Sequence, residues 1–159
     1  MPLRSYFVQA GYFALSLAIL LAVMALAGQT TSTGDSKGWK KTADSFMDDL
    51  VARRLDDAVD LMEVGFVKAI GGRSSAKSAI EHLFEYCGRP LDSQFQHEER
   101  GFKVYPDGKR KEMHKFFYDA ATNQFAKGVC VFAVDIVPGD TGTGYKVTTF
   151  GPLKRMGGR

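Results

Sequence analysis

Residues Lys103 to Tyr118 read KVYPDGKRKEMHKFFY, and Pro106-Asp107-Gly108 stands between two extended segments. Proline presets the first turn dihedral and glycine accepts a positive φ, so the stretch predicts a β-hairpin. Downstream, GVCVFAVDIV (Gly128 to Val137) is apolar on both faces: Cys130, Phe132, Val134 and Ile136 alternate against Val129, Val131 and Ala133. Such a segment reads as a central, covered strand. After the turn PGDTGTG comes YKVTTF, in which Tyr145, Val147 and Thr149 alternate with Lys146, Thr148 and Phe150. Strands and turns therefore fill the chain from about Asp92 onward.

Upstream the period changes. Ala43, Phe46, Met47, Leu50 and Arg54 recur at three and four after Trp39, with Lys40, Lys41, Asp44, Asp48 and Asp49 on the other side. This is an amphipathic helix. A second short stripe runs through Leu55, Ala58, Val59 and Met62 to a stop at Gly65. A third helix is expected after Ser74, with Ile80, Leu83, Phe84 and Cys87 on one face, a Ser78 to Glu81 capping box, and Gly88 with Pro90 as stop signals. Three helices followed by about four hairpin-joined strands predict an α+β domain, its helices packed on one face of a curved antiparallel sheet.

The stretches TADSFMDDLVARRLDDAVDLM, IEHLFEYCGRPLDSQF and GTGYKVTTFGPL together resemble the nuclear transport factor 2-like superfamily of small cone-shaped domains, in particular exported bacterial members without known function. The resemblance spans about residues 42–152. It implies a cone-shaped α+β fold and transfers no catalytic residue, because the matching positions serve packing.

The N-terminus gives an address. From Tyr6 to Ala27, 22 residues, the strongly polar side chain is Gln9, and no charge occurs between Arg4 and Asp35. A helix of that length spans roughly 33 Å against a hydrocarbon core of about 30 Å. The segment also reads as a signal peptide, with Arg4 in the n-region and Ala25-Leu26-Ala27 as the small-x-small site. Both readings export the remainder, because the positive flank stays inside. The expected organisation is a signal peptide or membrane anchor over 1–27, a Gly/Ser/Thr linker over 28–38, the cone-shaped domain over 39–153, and a basic tail over 154–159.

With 45% apolar and 25% charged residues the chain is an ordinary globular sequence. Its net charge of +3 falls to +2 when Arg4 leaves with residues 1–27, which points to no nucleic-acid partner. The basic runs GKRKEMHK and LKRMGGR read as solvated faces or tails.

Reactive constellations are few. Ser74-x-x-Lys77 matches a serine-lysine pair, yet no companion motif accompanies it, and Ser74 reads as a helix N-cap. His82, His97 and His114 lack metal spacing and read as surface residues, so neither a metal nor a cofactor is expected. Enzymes of the resembled superfamily place Asp, Tyr or His inside the cone. Asp135, the acidic residue of the most apolar strand, is the candidate base if it points inward, and an exposed strand-end carboxylate otherwise. Cys87 and Cys130 are the two cysteines of the chain; they pair as a disulfide or pack as free thiols.

Consecutive Phe116, Phe117 and Tyr118 must face opposite sides of a sheet, and with Tyr145 they form the expected ligand or partner face. The leading expectation is a non-catalytic extracytoplasmic binding or protein-interaction domain, paired with a second copy through its sheet or with an envelope protein. The alternatives are a small isomerase- or dehydratase-like enzyme with an acid-base pocket, a binder of a small apolar ligand, and an accessory subunit of a membrane-anchored envelope assembly.

Overall fold

A computed structural model describes residues 36–142 and 144–154. The apolar N-terminal segment with its signal-peptide or anchor reading, the linker up to residue 35, and the tail beyond Lys154 lie outside the described residues. Among those described, no helix is long and apolar enough to cross a membrane.

The chain runs through α1 (Ser36–Val51), α2 (Leu55–Asp60), α3 (Val64–Ala69) and α4 (Arg73–Cys87), then β1 (Gln94–Val104), β2 (Arg110–Ala120), β3 (Cys130–Pro138) and β4 (Tyr145–Lys154). The α+β order agrees with the sequence reading, but the described residues hold four helices and not three. Gly65 does not end the second stripe; it sits inside α3, a helix of six residues. Ser36 to Gly38, expected as linker, are the first turn of α1.

In α1 the three- and four-residue recurrence buries Trp39, Ala43, Phe46, Met47 and Leu50 against β2, β3 and β4. On the other side Lys40 pairs with Asp44 one turn on. Helix α4 starts at Arg73 with Gly72 before it and no side-chain cap, so neither Ser74 nor the Ser78 to Glu81 box caps it. Ser75 instead donates to the Gly71 carbonyl, and Lys77 reaches across to Asp56 of α2. At its far end the chain must pass tightly against the β2–β3 loop. Gly88 has φ +79°, and a Cβ there would stand 2.7 Å from Thr122 Oγ1 and 2.8 Å from Asn123 Oδ1. Glycine meets both demands.

The four strands form an antiparallel meander in the order β1-β2-β3-β4. Tyr105 to Lys109 close the first hairpin, with Gly108 at φ +81°, as the Pro-Asp-Gly turn predicts. The register sorts side chains by period two. Phe116, Tyr118 and Ala120 of β2, with Cys130, Phe132, Val134 and Ile136 of β3, share the helix side and are buried. This interior is filled: Phe46 and Phe132 both pack on the Phe150 ring, at 5.3 and 5.8 Å between centroids. Burying each such ring stabilises the fold by roughly 2–3 kcal/mol. A disulfide joins Cys87, at the end of α4, to Cys130, at the start of β3, with Cα atoms 6.1 Å apart.

Candidate functional site

The helix-free side of the sheet carries the odd residues of β2 and their register partners: His97, Glu99, Gly101 and Lys103 of β1, Lys111, Met113, Lys115 and Phe117 of β2, Ala133 and Asp135 of β3. Pairing between β1 and β2 runs out to Val104 and Arg110, whereas pairing between β2 and β3 stops at His114 and Ile136. The last turns of the β1–β2 hairpin are thus released from β3 and form an arm. On that arm Lys103 and Lys111 are direct partners, two like charges that repel unless something neutralises them.

Glu63 does so. It precedes α3, is 4% exposed, and is tied to β4 because its backbone N–H donates to the Val147 carbonyl at 2.8 Å. Tyr105 Oη donates to its carboxylate at 2.8 Å and Thr148 Oγ1 at 2.9 Å. The Lys103 and Lys111 ammonium groups each stand 3.4 Å from it. Lys103 also donates to Thr148, which lies at the bulge of β4. Lys111 completes the set with Asp140 at 2.6 Å. Both ammonium groups lie over the Tyr105 ring, at 4.8 and 5.2 Å from its centroid. Two cations thus meet two carboxylates, and the arm is clamped to the corner between α2 and α3.

Burial alone would raise the Glu63 pKa. The hydrogen bonds from Tyr105 and Thr148 and the Lys103 charge outweigh it and hold the group below the usual glutamate range. Burial and the adjacent Glu63 push the Tyr105 phenol up to about 12, so it remains a donor at neutral pH.

Asp135 has the same side of the sheet and a poorer environment. It is 9% exposed, Lys115 Nζ stands 3.7 Å from Oδ1, and that oxygen is buried without a hydrogen-bond partner. Burial pushes its pKa up, against the opposing charges of Lys115 and Lys103. The candidate base therefore sits neither in the helix-covered interior nor in open solvent.

The expected aromatic face divides. Phe116 and Tyr118 are buried on the helix side, where the Tyr118 hydroxyl donates to Asp44 at 2.8 Å; Phe117 lies on the helix-free side, stacked on His97 at 4.3 Å. Tyr145 packs on Trp39 at 4.4 Å between rings. The four do not form one surface.

His82 and His97 are exposed as expected. His114 is not a surface residue: it is 2% exposed and stacked on Trp39 at 3.9 Å. Its Nε2 is 3.0 Å from Glu112, and a Glu98 oxygen lies 2.6 Å from Nδ1, out of line for a hydrogen bond. Even parity in β2 places His114 on the same side as Phe116, a placement the charged run around it hides. Among the described residues no group of three or more His, Cys, Asp or Glu could hold a metal ion.

Strand β1 is one edge of the sheet; at the other edge, β4 bonds outward through Val147 to Leu61 and Glu63. Among the described residues, none of Gln94–Val104 makes a backbone bond on the side away from β2. Phe102 and Val104, 60% and 64% exposed, share one face of this edge, and Arg110 stands 4.7 Å from the Phe102 ring centroid.

Compared with known protein families, curated proteins and solved structures, the chain matches none.

Proposed function

We propose that the chain is a non-catalytic binding domain that works outside the cytoplasm and pairs with a second copy of itself along the free edge of β1. The observation that carries this reading is the edge itself: 11 residues of strand with no backbone partner on the side away from β2, bearing three large exposed apolar side chains, Phe95, Phe102 and Val104. Unpaired strand edges are templates for another strand, and main-chain hydrogen bonds supply the affinity.

The charge pattern favours a self-complementary register. Two antiparallel β1 strands related by a twofold axis at Gly101 set Glu99 opposite Lys103 and Arg100 opposite Phe102 of the other copy, with no like charges face to face. The two Phe102 rings then lie diagonal to each other across the axis, and a glycine at the axis leaves room for the backbones. The filled helix–sheet interior and the mutual neutralisation of Glu63, Lys103, Lys111 and Asp140 support binding over turnover, since reactive groups of an enzyme stand beside an accessible cavity. The Cys87–Cys130 disulfide supports export, because such bonds persist in oxidising compartments. The cone-shaped family resemblance is part of this reading, supported by the α+β order.

Light scattering on the purified protein tests it. A dimer is expected, and Phe102→Asp should weaken it by about tenfold or more while leaving the circular dichroism unchanged. Leu153→Asp, at an exposed position of β4, should remain dimeric. A monomeric wild type, or a dimer indifferent to Phe102→Asp, sinks the proposal.

A further inference from the structure

A pocket of about 390 Å³ opens between the end of α1, the start of α2 and the flank of α4, lined by Leu50, Arg53, Leu55, Glu81, Phe84 and Arg89. That volume is within the range of small-molecule sites. Two observations on its arginines are independent of each other.

The first is backbone conformation. Helix α1 ends in a Schellman arrangement, in which Arg54 N–H donates to the Asp49 carbonyl at 2.8 Å and Arg53 N–H to that of Leu50 at 3.3 Å. The residue between is left-handed, and here it is Arg53 at φ +62°, the one non-glycine residue with positive φ among those described. Glycine is the usual occupant, because a Cβ is disfavoured in that conformation. The helix end requires the left-handed conformation but not an arginine in it, and glycine would adopt it at lower cost.

The second is an orphan donor. Arg89, directly after the Gly88 stop, has its Nε buried without an acceptor. Buried donors are nearly always satisfied, so an orphan calls for a missing partner. Neighbouring Arg54 shows the contrast: it is paired with Asp49 and Asp57. Neither Arg53 nor Arg89 has a carboxylate within ion-pair distance among the described residues, and Glu81, though it lines the pocket, pairs with neither.

We infer that this pocket binds a small organic anion, a carboxylate with a short apolar body: the Arg53 and Arg89 guanidinium groups take the head, and Leu50, Leu55 and Phe84 take the body. Guanidinium forks match carboxylates with two parallel hydrogen bonds. The apolar lining would be indifferent to a bare ion.

The test titrates the purified, disulfide-bonded protein with octanoate, acetate and octan-1-ol by calorimetry. Octanoate should bind saturably and about tenfold or more tighter than either of the others, which lack the body or the head. Arg53→Gly is the informative variant, because glycine relieves the left-handed residue: the melting temperature should rise while octanoate affinity falls by about tenfold. Arg89→Gln should lose a similar factor. Absence of saturable octanoate binding, octanol or acetate binding as tight as octanoate, or unchanged affinity in a stable Arg53→Gly protein each overturns the inference.

Discussion

Glu63 and Asp135 are two carboxylates, both almost fully buried and both within the field of Lys103, yet their proton affinities shift in opposite directions. Glu63 receives two hydroxyl hydrogen bonds and two ammonium groups; Asp135 has one lysine at 3.7 Å and an oxygen with no donor. Burial penalises both charges equally in kind. The difference lies in donors aimed at the charged form, which decide whether a buried carboxylate anchors a structure or burdens it. At Glu63 the donors come from the hairpin arm and from a bulge in β4, so the ion cluster fastens pieces of chain that are 42 and 85 residues away.

The largest break in this comparison should come from Glu63→Gln. It leaves Lys103 without its carboxylate in a half-buried place and should destabilise the protein by about 3 kcal/mol at pH 7, read from chemical denaturation. Its pH dependence carries a definite sign. The folded pKa of Glu63 is below the unfolded one, so its contribution is full above about pH 4.5 and is lost as the pH falls through the folded pKa. The gap between wild type and Glu63→Gln should therefore close in acid. A gap constant from pH 7 to acid would show that the charge of Glu63 contributes nothing.

Tyr105→Phe is the next step down. It removes one hydrogen bond to an ionised acceptor and should cost about 2 kcal/mol, while raising the Glu63 pKa as measured by side-chain carboxyl NMR titration. An unmoved Glu63 pKa would mean that the lysines alone hold it.

Asp135→Asn should have the smallest effect and the opposite sign. The raised folded pKa favours the neutral acid, so the contribution of Asp135 is full below the ordinary aspartate range and is lost as the pH rises through the folded pKa. Replacing it by a neutral amide should be neutral or stabilise by up to about 1 kcal/mol at pH 7, with the advantage disappearing in acid. A variant much less stable than wild type would erase the contrast and make Lys115 a full partner.

Part of the clamp was legible in the sequence. Counting outward from Pro106-Asp107-Gly108 sets Lys103 opposite Lys111, and two lysines face to face ask for a carboxylate. Which carboxylate could not be read, because Glu63 lies in a helical stretch whose periodicity says only that Met62 next to it is apolar. His114 was misread for a related reason. The polar run GKRKEMHK suggests solvent, but alternation along β2 places His114 with Phe116, and Trp39 of α1 then covers it. The extra helix α3 escaped because six residues with a glycine among them give no full helical repeat.

The sequence by itself determined the order of helices and then strands, the buried face of α1, the Pro-Asp-Gly hairpin and the covered character of β3. Each of these follows from side-chain period or turn chemistry within a few residues, where backbone sterics act. Tertiary structure alone decided that Cys87 meets Cys130, that the arm bends until Tyr105 reaches Glu63, and that Arg53 and Arg89 line one pocket. These depend on what closes over a face once it is formed. Local periodicity states on which side a residue stands and carries no information about the distant segment that will cover it.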